Sequence, residues 1–363
     1  MRIPRKVMVG AVVVVGMLVI LEAISDQAKN SSIGGGVPSD AAPTPTPASL
    51  NRPLVLTYYF YWYDALTGGH LEEPTLRHHP PDGPAQNWYS EAWHKKELTD
   101  MVAAGIDVVL PVFWGSGNAE DKWSTEGLSA LASAWDHLRT GGANPPRIGM
   151  FLDTTIVKQR DLTTENGRAW FYQNFREFFE RIPRRMWSEV AGGPIIFLFT
   201  SDWAAAVDQS TFDYAYEHFQ ADFGVRPYIV REVSWDYPIL RWERGERVRD
   251  YQHPIVTENS YLWAGSIHGF VDRGGVAVVG PGYDDRHIPS RGGGRLMERR
   301  DGQFYLEEFG KAIKAHKPLL VIETWNEFHE GSGISETREF GRQYIELTRR
   351  LADEYKASWE FPR

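Results

Sequence analysis

The chain has no cysteine, which excludes disulfides, thiolate metal sites and cysteine nucleophiles in any compartment. Positive charge is also scarce. There are 39 Lys and Arg against 48 Asp and Glu, a formal charge of -9, which disfavours a nucleic-acid polyanion and suits a neutral partner better. With neither cysteines nor charge to indicate a compartment, the N-terminus has to supply it. Arg2, Arg5 and Lys6 precede an uncharged run of 15 residues, Val7 to Leu21, that ends at Glu22. This length suits a signal-peptide core, with Ala23-Ile24-Ser25 as a cleavage candidate. Ala23 and Ile24 also extend the run toward the roughly 20 residues of a membrane anchor. Residues 1–26 are therefore expected to export the chain, either as a cleaved signal or as the one membrane contact. Residues 27–52, with Gly-Gly-Gly and Ala-Ala-Pro-Thr-Pro-Thr-Pro, read as a solvated tether.

What is present in quantity is apolar and aromatic. At 42% hydrophobic content, with 14 Trp and 16 Tyr, residues 53–363 can bury the core of one large domain. Short β-branched or aromatic runs alternate with longer amphipathic stretches, the pattern of repeated β-α units. Eight strands are predicted: 54–61, 106–113, 147–152, 194–199, 226–230, 254–261, 276–280 and 318–323. Helices are predicted over 91–104, 127–139, 169–181, 212–223, 304–315 and 338–355, with apolar residues at three- and four-residue spacing. Eight strands with intervening helices make a (β/α)8 TIM barrel, an α/β fold in one catalytic domain.

In such a barrel the functional residues lie at the C-terminal ends of the strands. There the sequence places Tyr59, Tyr61, Trp62 and Asp64 after the first strand, Trp114 after the second and Asp153 after the third. Tyr261 and Trp263 follow the sixth, Tyr283, Asp284 and Arg286 the seventh, and Trp325, Asn326 and His329 the eighth. Aromatic faces match the C–H faces of pyranose rings, and carboxylates, amides and guanidiniums bind hydroxyls, so all fourteen are candidate sugar contacts. An oligosaccharide or polysaccharide is the expected partner, and the protein is expected to act as a monomer.

The sharpest element is Trp325-Asn-Glu-Phe-His-Glu-Gly331. Glu327 and Glu330 stand three residues apart just past a strand, on one side of the chain, where they could flank one glycosidic bond. One would stay protonated to serve the leaving oxygen and the other ionised, with neighbouring charge pushing their pKa values apart. They are expected to lie about 5 to 9 Å apart in a cleft lined by Tyr59, Trp62, Trp114, Tyr261 and Tyr283. A Glu-x-x-Glu pair on a turn is otherwise most often a solvated surface pair. His329 has no second ligand at the spacing a metal site needs, and His78-His79 reads as loop structure or a sugar contact.

These residues resemble the endo-α-mannosidase family, glycoside hydrolase family 99, and its bacterial relatives. The likeness rests on Tyr58-Tyr-Phe-Tyr-Trp-Tyr63, Ala104-Gly-Ile-Asp107 with Trp114-Gly115, Val279-Gly-Pro-Gly-Tyr-Asp284 and, most specifically, Trp325 to Gly331. The resemblance implies a metal-independent retaining hydrolase of α-linked glycans, with no cofactor. In it Glu327 acts as base on the substrate's own 2-hydroxyl, giving a 1,2-anhydro sugar, and Glu330 acts as general acid and then as base for water. Phe328 stands where the family usually has Trp, and Gly331-Ser-Gly-Ile-Ser-Glu336 departs from the family's usual continuation, which touches the choice of sugar. Three other readings remain. A cellulase-like enzyme would carry Asn-Glu on the fourth strand, a non-catalytic sugar-binding barrel would need neither glutamate, and an enzyme of polysaccharide assembly would use the same pair.

Overall fold

The first strands form where apolar residues are buried on both faces. β1 (Leu54–Tyr59) and β2 (Val108–Phe113) are buried at every position, as expected of parallel strands with a filled barrel on one side and helices on the other. The computed structural model describes residues 52–82, 85–117 and 122–359. The expected export segment and the tether up to residue 51 lie outside these residues. No helix among the described residues is long and apolar enough to cross a membrane.

β3 (Met150–Leu152), β4 (Gly193–Leu198), β5 (Tyr228–Glu232), β6 (Asn259–Tyr261), β7 (Val276–Val279) and β8 (Leu319–Ile322) complete the set of eight. Hydrogen bonding runs in the order β6-β5-β4-β3-β2-β1-β8-β7, parallel throughout. The ends of that order meet where Gly275 N–H donates to Ser260 O at 3.0 Å. A Cβ on Gly275 would sit 2.2 Å from Asn259 Oδ1, so this close approach requires glycine. The fold is a nearly closed (β/α)8 barrel, as the strand count implied.

The helices are α1 (Glu91–Ala104), α2 (Lys122–Thr140), α3 (Glu165–Arg181), α4 (Gln209–Phe223), the single turn α5 (Gly265–His268), α6 (Gln303–Ala315) and α7 (Gln343–Ala357). α1 keeps its predicted bounds because both ends are chemically marked. The Ser90 side chain accepts from Trp93 N–H, and Gly105 takes the left-handed conformation after the last turn. Two expectations shift. α7 begins at Gln343 rather than Arg338, because Thr337 and Gly341 close a tight turn before it. Between β5 and β6, where no helix is predicted, the chain makes an antiparallel hairpin, Ile239–Glu243 with Glu246–Arg249, and the sixth strand begins at Asn259 rather than at Pro254. Arg247 and Arg249 tie that hairpin to Asp202 past β4, at 3.2 and 3.8 Å.

Candidate active site

Strand alternation sorts the aromatic run that leaves β1. Tyr58 points into the barrel, where its ring lies 4.4 Å from Phe151 and 5.1 Å from Trp263. Tyr59 points the other way, into the helical layer, where its hydroxyl meets His94 Nδ1 at 2.9 Å. Tyr61 likewise donates to Ser124 O of α2 at 2.6 Å. Trp62, on the inward parity, stacks on His70 at 4.8 Å and sits edge-on to His329 and Trp114 at 6.4 and 5.8 Å.

Past β8, local hydrogen bonds fix the loop. Trp325 N–H donates to Tyr58 O at 2.8 Å. The Asn326 amide then acts as a strand would, accepting from Phe60 N–H at 2.9 Å and donating to Phe60 O at 2.8 Å. The Tyr63 hydroxyl donates to Asn326 O at 2.8 Å and accepts from Phe328 N–H at 3.1 Å. Glu327 N–H donates to Thr324 Oγ1 at 3.0 Å, and its carboxylate takes both the His329 amide and His329 Nδ1 at 2.9 Å. Glu327 is 4% exposed and Glu330 8%, so the pair is buried rather than solvated.

The electrostatics follow from that burial. Loss of water pushes the Glu330 carboxyl up to about 7; Arg291, donating at 2.7 Å, opposes the shift, while the charges of Glu327 and Asp285 add to it. Burial would lower His329, but the Glu327 and Glu330 carboxylates outweigh it and hold the ring's pKa above its usual value. His70, half-buried and facing His329, is lowered to about 3 by the loss of water around it and by the His329 charge. Asp153 is raised by burial and accepts from Trp114 Nε1 at 2.8 Å. Asp284 lies between Arg286 and Arg77, which hold its carboxyl at about 2, and its N–H donates to Glu330 O at 2.8 Å.

The structure thus gathers Glu327, Glu330, His329, Trp62, Trp114, Asp153, Tyr283, Asp284 and Arg286 around the barrel mouth beyond β8, β1 and β2. It does not bring the other candidates there. Trp325 is buried and donates to Glu97 of α1 at 2.5 Å. Asn326 is occupied by backbone, and Asp64 caps its own turn through Leu66 N–H and Thr67. Tyr261 lies inside the barrel, donating to Leu198 O at 3.0 Å, and Trp263 is stacked on Tyr58 and Phe151. Tyr59, Tyr61, Asp64, Tyr261, Trp263, Trp325 and Asn326 take packing or tying roles in this structure. Of the five residues expected to line a cleft, Trp62, Trp114 and Tyr283 stand near the glutamate pair, whereas Tyr59 and Tyr261 are turned away from it.

Several residues were not singled out from the sequence. Arg291 precedes Gly292-Gly-Gly294 with no strand-end or periodic signal, and only the fold carries it to Glu330. His70 is also isolated in sequence. Glu232 and Glu323 did carry a signal, since each stands at or just past the end of a strand. Glu232 accepts from the amides of Ser234 and Trp263 at 2.7 and 3.4 Å, and Glu323 from those of Ala264 and Ser266 at 3.1 and 3.3 Å. Together they hold the loop after β6, and burial raises them to about 7 and about 8.

Comparison with known proteins adds three findings. A family described as a domain of unknown function, DUF5010, matches residues 83–361. No curated protein matches the sequence. Among solved structures, the GH99 endo-alpha-mannosidase from Bacteroides thetaiotaomicron superposes with a TM-score of 0.60 at 15% identity, over 85% of this chain and 98% of that one. A protein described as glycoside hydrolase-like superposes with a TM-score of 0.62 at 13% identity, over 89% of this chain and 98% of that one. The barrel is thus GH99-like in fold.

Proposed function

The chain belongs to the DUF5010 family, and from its GH99-like barrel and buried glutamate pair we propose that it is an exported retaining glycoside hydrolase acting on α-linked glycans. The observation that carries this reading is the state of the pair. Glu330 is buried, paired with Arg291 and poised at about 7, while Glu327 is held by His329 and by the loop's own amides. A carboxyl group titrating near neutrality suits a residue that must first give a proton and later take one.

In the proposed reaction Glu327 removes the proton of the sugar 2-hydroxyl. The 2-oxygen attacks the anomeric carbon as the glycosidic bond breaks, and Glu330 protonates the departing oxygen. The product of this half is a 1,2-anhydro sugar. Water then attacks the anomeric carbon and gives its proton to Glu330, while Glu327 returns its proton to the 2-oxygen, and two inversions leave the configuration retained. Trp114, half-buried and bonded to Asp153, would offer a face to the sugar. A screen of α-mannans, α-glucans and bacterial cell-surface glycans, with product anomer followed by NMR, tests the proposal. Hydrolysis that persists in Glu327→Gln or Glu330→Gln at wild-type rates, or release of the inverted anomer, sinks it.

A further inference from the structure

One rim of the site presents two guanidiniums to a single carboxylate. Asp284 receives two guanidiniums at once, Arg77 Nε at 2.7 Å and Arg286 through Nε and Nη2 at 2.9 and 3.0 Å. Both arginines stay half-exposed, with side chains 45% and 52% open to solvent. The nearer carboxylates are committed elsewhere, because Glu330 and Asp285 both pair with Arg291, at 2.7 and 3.3 Å. Exposed Glu298 is the one further acid whose charge reaches Arg286.

We propose that Arg77 and Arg286 form a subsite for an anionic substituent, a carboxylate or a sulfate, on the glycan. The inference rests on the glycoside hydrolase reading and names the substrate class of that site. Position supports it. Asp284 N–H binds the Glu330 carbonyl, and Arg77 packs on Gly331, where a Cβ would lie 2.8 Å from Arg77 Cγ. An anion here would adjoin the bond served by Glu330. The chemistry supports it as well, since guanidinium forks bind planar carboxylates and sulfates in paired hydrogen bonds, whereas neutral hydroxyls need no such charge. In a chain of net charge -9, with two glutamates at the cleft, an acidic sugar would otherwise be repelled.

The test measures binding by calorimetry to the full chain carrying Glu327→Gln. Its probes are alginate-derived oligouronates, sulfated dextran oligosaccharides, and neutral manno- and malto-oligosaccharides of equal length. One of the acidic classes should bind about tenfold or more tightly than the neutral ones, weakening as salt rises, and which acidic class binds identifies the group. Arg77→Gln and Arg286→Gln should each remove most of that preference, and Arg286→Lys should restore part of it. Equal affinity for neutral chains, no binding of acidic chains, or a preference that survives both substitutions overturns the subsite. The two readings fail separately. Neutral glycans cleaved by the wild type while acidic ones are ignored would end only the subsite. Acidic glycans held through the arginines but never cleaved would end only the hydrolase.

Discussion

Arg291 donates to Glu330 at 2.7 Å with both side chains about nine-tenths buried, so the residue proposed as acid is held by a fixed positive charge. Burial raises Glu330 and Arg291 lowers it, and the balance near 7 depends on both. Replacing Arg291 with Met should move the alkaline limb of the kcat/KM profile to higher pH, because the acid would then stay protonated longer. Arg291→Lys, which keeps the charge, should leave the limb close to its wild-type position. A limb that stays put in Arg291→Met would show that Glu330 does not set it.

Glu327→Gln and Glu330→Gln should each lower kcat by about three orders of magnitude, the scale of a lost general acid or base, with little change in melting temperature. The two should differ toward aryl glycosides with good leaving groups. Such substrates need little protonation, so Glu330→Gln should recover much of its rate of aglycone release on them, with the hydrolytic half then limiting, and Glu327→Gln should not. Steady-state kinetics on the paired substrates decides.

Asn326→Ala should loosen the loop that carries both glutamates. It leaves Phe60 N–H and C=O without their partner in a buried setting, at a cost of about 1–3 kcal/mol. Because the amide touches neither glutamate, the drop in kcat should come with a lower melting temperature. Activity lost at unchanged stability would mean that Asn326 meets the substrate directly.

Stability should fall as pH rises from the ordinary carboxyl range through neutrality. Burial first of all raises Glu97, Glu232 and Glu330 to about 7 and Glu323 to about 8, from an ordinary 4.5. A raised carboxyl contributes stability that is complete below its unfolded pKa and is lost as pH rises through its folded one. These four groups should therefore make the melting temperature decline from about pH 4.5 to about pH 8 and level off above, and Glu323→Gln, which cannot ionise, should flatten part of that slope. An equally steep decline in the variant would assign the effect to other groups.

The barrel could be read from the sequence because most strands are largely apolar runs buried on both faces, β5 and β6 being the exceptions, and because α1, α3 and α4 carry their own caps at Ser90, Thr164 and Asp208. The glutamate pair was legible for a related reason, since it follows its strand without interruption. Orientation was harder. Tyr58 and Tyr59 are equivalent as letters, and only pairing register sends one into the barrel and the other to His94. Trp325 stands beside Asn326-Glu327 in sequence yet faces Glu97. Partners brought in from distant loops, such as Arg291 and His70, left no local pattern, because their roles exist only once the ring has closed.

The Asn326 amide has a consequence for how such a protein could diversify. By pairing with Phe60 through both of its groups, it extends the β1–β8 rung into the loop, so the reacting carboxylates inherit the rigidity of the sheet. The arginine-bearing segment after β7 is joined to that frame mainly through side chains and the Asp284 amide. Sequence drift in that segment could change which glycan is admitted while the bond-breaking apparatus stays in register, so preference and reactivity can evolve on separate parts of the same barrel.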